Sequence, residues 1–136
     1  MFKYIKTVGA HTAAPEIVSM PVDVQGSFKA GSVMFRNETG LTPYTYMEDH
    51  SSPKYLALED YNYDGINVGK IKAMMILPGM IFETEYPENG DVGQSVLLSP
   101  SDDGNSFDKI STQTGKGATI LKKNTGPAKC WVQFIC

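Results

Sequence analysis

A chain of 136 residues with 41% apolar and 20% charged side chains has the size and composition of one globular domain, able to fold without disulfides or metal. No segment approaches the roughly 20 apolar residues of a membrane helix, and Met1 to Val18 holds no apolar run of signal-peptide length. The net charge of −3 hides an asymmetry: residues 1–37 carry +2, residues 38–108 carry −10 and residues 109–136 carry +5. An acidic middle repels phosphate and speaks against a nucleic-acid groove, while the basic end leaves a face able to meet an acidic partner.

Strand signals succeed one another along the chain. Phe2, Tyr4 and Val8 alternate with Lys3 and Thr7, although Lys6 interrupts the apolar side. The stretch Pro15 to Met20 is the one helical candidate. Val22 and Val24 alternate with Asp23 and Gln25, Ser32 to Phe35 follows Gly31, and Tyr55 to Leu58 precedes an acidic pair. Ile71 to Leu77 begins in alternation and ends as a continuous apolar run. Met80 to Tyr86, Val92 to Leu98, Ala118 to Leu121 and Cys130 to Cys136 complete the set. Asp64-Gly65, Asn89-Gly90, Asp103-Gly104 and Thr125-Gly126-Pro127 punctuate these runs, and Pro78-Gly79 fits the central positions of a type II turn. Many short strands at this spacing predict an all-β sandwich or small antiparallel barrel. The longest irregular stretch, Asn37 to Lys54, reads as an insertion at one end of it. Residues 21–136 form the single domain on this reading, preceded by residues 1–20, whose length the barrel does not need.

The constellations that carry chemistry resolve into turns and faces. Asp60-Tyr61-Asn62-Tyr63-Asp64-Gly65 opens like a calcium loop, but its twelfth position, where a bidentate Glu belongs, is Ile71. Ser101 to Asn105 reads as a polar hairpin tip. Glu83 and Glu85 share a strand parity, as solvent-facing residues do, and nothing in the sequence separates them into acid and base. His11 and His50 lack zinc-ligand spacing. Gly93-Gln94-Ser95-Val96-Leu97 lacks the second glycine of a nucleophile elbow, and Gly115-Lys116-Gly117 lacks the rest of a P-loop. We therefore assign no catalytic, cofactor or metal residue. Cys130 and Cys136 fall on one face of a strand, roughly 20 Å apart, too far for a bridge, and read as buried free thiols made in a reducing compartment. Met74, Met75 and Met80 read as core filling. A second reading, from a different class, is a ligand- or carbohydrate-binding β-barrel lined by Tyr44, Tyr46, Tyr61, Tyr63 and Trp131.

From Gly26 onward the order of segments resembles the capsid decoration (cement) proteins of tailed bacteriophages. The residues that carry the likeness are the glycine-spaced run Gln25 to Val33, the strand Tyr55 to Asp60 with its acidic loop, and the strand–turn–strand Lys70 to Glu83. Val92 to Leu98 with Asp103 to Phe107, and Gly117 to Leu121 with Cys130 to Phe134, continue it. The resemblance covers roughly residues 22–136. It implies a β-barrel or β-tulip-like fold with an extended N-terminal arm, bound to the outside of a capsid shell, with no enzyme activity. The partner it implies is the major capsid protein, with a homotrimer among the assemblies it allows, and the location is the virion surface after synthesis in the host cytoplasm. The arm, residues 1–20, would add to the shell, with Phe2, Lys3, Tyr4, Ile5 and Lys6 as the contact residues. No nucleic acid, membrane or cofactor enters this reading.

Overall fold

A computed structural model describes residues 1–9, 15–22, 27–36, 38–42, 54–63, 65–66, 69–86, 90–100 and 107–135, the side chain of Pro100 excepted. In chain order the strands are β1 (Lys3–Thr7), β2 (Ile17–Pro21), β3 (Ser27–Phe28), β4 (Val33–Arg36), β5 (Leu41–Thr42), β6 (Lys54–Ala57) and β7 (Tyr61–Asn62). They continue with β8 (Lys70–Met75), β9 (Met80–Glu85), β10 (Ser95–Pro100), β11 (Phe107–Thr114), β12 (Ala118–Lys123) and β13 (Lys129–Phe134). Strands account for 61% of the described residues and helices for none. The helical candidate at Pro15 to Met20 is instead the strand Ile17–Pro21, paired residue by residue with β8. That pairing supplies hydrogen bonds that a single short helical turn next to Pro15 and Pro21 would lack.

One large antiparallel sheet runs β1-β9-β13-β12-β10-β11-β4-β6-β8-β2, with β5 added on β4, and β3 pairs β7 in a second, two-stranded sheet. The all-β class is as expected, but the sheet is not closed into a barrel. Strands β1 and β2 are its two ends. At the start of β1 the neighbour is a turn: the Phe2 N–H donates to the Gly31 carbonyl, and the Gly31 N–H donates to that of Ala57. A turn cannot continue a ladder, so the seam stays open.

Burial is two-sided toward the β2 end of the sheet. Val33 and Phe35 of β4, Leu56 of β6 and Met74 of β8 enter one core with Phe82, Val96, Ile120, Val132 and Phe134. Their chain neighbours Met34, Tyr55, Ala57 and Ala73 enter a second core with Val22, Phe28, Leu41 and Tyr61. Strands that bury both faces read as continuous apolar runs rather than alternation, which accounts for Val33-Met34-Phe35 and Tyr55-Leu56-Ala57. Strand β8 shows the transition: Lys70 and Lys72 are exposed, whereas Met74, at the same parity, is buried. In β13, which buries one face, Cys130, Val132 and Phe134 alternate inward as expected.

Two expectations need correction or restriction. Residues 1–20 are not a separate arm: β1 is laddered to β9 and Phe2 is buried against Phe134, ring centroids 5.1 Å apart. Within the 37–54 insertion, Glu38 to Thr42 and Lys54 are described. Leu41 is buried, β5 pairs β4, and Lys54 begins β6 with its ammonium donating to the Ile135 carbonyl at 3.0 Å. Asn37 and residues 43–53 lie outside the described residues, as do Asp64, Ser101 to Asn105, His11, His50 and Cys136.

Candidate adhesion face

The register of four neighbouring strands assembles the most distinctive surface. Lys3 of β1 lies opposite Glu83 of β9, Glu83 opposite Trp131 of β13, and Trp131 opposite Lys122 of β12. The next row, Tyr4, Phe82, Val132 and Ile120, points the other way into the core. Since successive side chains alternate between faces, Lys3, Glu83, Trp131 and Lys122 form one row on the outer face.

Two β-bulges complete it. By simple alternation Lys6 would share the inward side of Phe2 and Tyr4, and Lys122 that of Ala118 and Ile120. The register slips between Tyr4 and Lys6 in β1 and between Ile120 and Lys122 in β12. An extra residue in one strand reverses the parity of the residues beyond it, so both lysines turn outward. Their ammonium groups each stand 5.2 Å from the centroid of the Trp131 ring, a cation–π distance. Two cations at one indole are therefore within about 10 Å of each other, and they repel.

The carboxylates nearby are already engaged. Glu83 accepts the Trp131 indole N–H at 3.2 Å. Glu85 accepts from the Met1 ammonium at 2.5 Å and from Lys129 at 3.3 Å. Partial burial pushes the Glu85 carboxyl up, but hydrogen bonds from the Met1 ammonium and its own backbone, that ammonium's charge and Lys129 outweigh it and hold the group at about 2. Lys123 bridges Asp91 at 3.0 Å, and hydrogen bonds from its ammonium to Tyr86 and then to Asp91 raise its pKa. Behind the face, burial and then the charges of Glu83 and Glu85 raise the Cys130 thiol to about 11.

The five shell-contact candidates thus divide. Lys3 and Lys6 lie on the outer face; Phe2 is buried, and Tyr4 packs edge-on against Phe82 at 5.9 Å with its hydroxyl 2.7 Å from Thr7 Oγ1. Ile5 is half-buried in the bulge. Trp131 and Lys122, which belong with the two lysines, lie far along the chain; the basic stretch 109–136 was the one sequence signal pointing to them. The described aromatic residues of the carbohydrate reading do not line one site. Tyr61 is buried and stacked on Phe28 at 5.3 Å, Tyr63 packs against the second core, and Trp131 is between lysines of the outer face. Tyr44 and Tyr46 lie outside the described residues. In the calcium-like loop, Asp60 Oδ1 accepts the Ala30 N–H at 2.8 Å. No three potential metal ligands converge among the described residues.

Along the open seam lies an apolar cavity of about 750 Å³, whose lining includes Met1, Phe2, Ile17, Leu58 and Met74. It borders both ends of the large sheet. No protein-family model, curated protein or solved structure matches this chain.

Proposed function

We propose that this chain is a structural protein of a phage head that binds the outside of the capsid shell and stabilises contacts between neighbouring major capsid subunits. The observation that supports the reading best is the outer face of β1, β9, β13 and β12. It presents Lys3 and Lys6, two of the residues expected to touch a shell, beside Trp131 and Lys122. Tryptophan and long basic side chains on a rigid strand platform suit broad protein contact, where an aromatic anchor is desolvated and charges set the register. On this reading the N-terminal segment acts as a strand of its own sheet, presenting side chains, rather than as a free arm reaching outward.

The test is co-sedimentation with purified shells that lack this protein. The wild-type chain should pellet with the shells and raise their melting temperature, because a ligand that binds only the assembled state stabilises it by mass action. Folded protein that stays in the supernatant across a range of concentrations overturns the proposal.

A further inference from the structure

We infer that the Lys3, Lys6, Lys122 and Trp131 face takes a carboxylate-rich, extended segment of a protein partner; this deepens the adhesive reading above and rests on it for the partner being a shell protein. Charge complementarity carries the argument. The chain as a whole is acidic, at −3, yet this patch gathers three lysines that form no salt bridge among the described residues. Of the nearby acids, Glu85 is paired with Met1 and Lys129, while Glu83, hydrogen-bonded to the neutral indole N–H, keeps its charge and offsets one of the three lysines, leaving an excess of positive charge on the face. Lys6 and Lys122 stand against one ring, where their mutual repulsion is relieved by an anion arriving from outside.

The row also has a length. Four adjacent strands set about 4.8 Å apart place Lys3 and Lys122 roughly 14 Å apart at their backbones. An extended peptide advances about 3.3 Å per residue, so side chains four positions apart project from one side at a spacing of about 13 Å. Acidic residues four positions apart therefore match the row, with an apolar or small side chain at the position midway between them over Trp131. A nucleic acid fits less well, because its unbroken line of phosphates would cross Glu83 in the middle of the row and be repelled there.

Trp131 is the sole tryptophan, so its fluorescence reports on the site directly. The probes are a synthetic peptide with glutamate at every fourth position and alanine between, the same peptide with glutamine, and an oligothymidylate of equal charge. The glutamate peptide should change Trp131 emission saturably, and the glutamine peptide should not. Affinity should fall on raising salt from about 50 to about 300 mM, over which the screening length shrinks by more than half. Lys6→Gln with Lys122→Gln should weaken binding by about tenfold, the scale expected for two exposed ion pairs, with an unchanged melting curve showing that the variant is folded. No response to the glutamate peptide, equal response to the glutamine peptide, indifference to the double substitution or tighter oligothymidylate binding overturns the inference. So does self-association of the chain that the double substitution abolishes, since the face would then meet a second copy. Shell sedimentation separates the two proposals. Shells that bind the double variant as well as wild type refute the acidic-segment inference alone; peptide binding without shell binding refutes the capsid reading alone.

Discussion

Two glycines in the same kind of turn allow the docking of β1 to be weighed. Gly79 has φ of +88° and Gly93 has φ of +87°. Each occupies the third position of a four-residue turn, closed by Met80 N–H to the Leu77 carbonyl and by Gln94 N–H to the Asp91 carbonyl. A Cβ at Gly93 would meet nothing within 4 Å, but one at Gly79 would lie 2.3 Å from the Val8 carbonyl oxygen, just beyond the end of β1. Gly93→Ala therefore bears only the cost of a left-handed backbone with a side chain, about 1–2 kcal/mol. Gly79→Ala bears that cost and must also displace main chain. The Val8 N–H bond to the Gly79 carbonyl, 2.8 Å, is strained or lost for about 1 kcal/mol, and the crowding adds about 1–2 kcal/mol. The expected difference between the variants is about 2–3 kcal/mol. Urea denaturation followed by circular dichroism measures it at a common slope. Hydrogen exchange should place the loss locally, with faster exchange at β1 amides in Gly79→Ala and not in Gly93→Ala. Equal destabilisation of the two variants would show that β1 does not press on this turn.

Three further outcomes are expected. Deleting residues 1–7 should destabilise the protein by at least about 2–3 kcal/mol, since it removes the β1 ladder and the buried Phe2; an unchanged thermal melt would restore the free-arm view. In a Cys136→Ser background, Cys130 should alkylate very slowly at pH 8, where a thiol raised to about 11 is only about one-thousandth thiolate; labelling at the rate of a free thiol contradicts its burial. Glu85, held at about 2 against an ordinary 4.5, contributes stability in full above pH 4.5 and loses it as the pH falls through 2. Its carboxylate is about half exposed, so the contribution is discounted to about 1 kcal/mol. Glu85→Gln should cost that much at pH 7 and progressively less as the pH falls toward and below 2, and a gap independent of pH would rule out the ionic origin.

The all-β class, the Pro78-Gly79 turn and the inward face of Cys130, Val132 and Phe134 were legible in the sequence, because alternation and turn chemistry are short-range properties of the chain. Lys6 was visible there as an anomaly on the apolar side of the first strand, without an explanation. Only the tertiary structure resolves it, through a bulge whose position is set by pairing with β9. Lys122 was hidden in the same way, its outward turn depending on the bulge against β13. The segments of β4 and β6 were legible as strands, but not that each buries its two faces against separate cores. The open seam was equally invisible, for it depends on the Ala30–Gly31 turn meeting Phe2. Each of these features is a choice of register or neighbour between distant segments. A one-residue slip moves a lysine from one face of a sheet to the other without changing any local preference, so the face that gathers Lys3, Lys6, Trp131 and Lys122 exists only once the strands have paired.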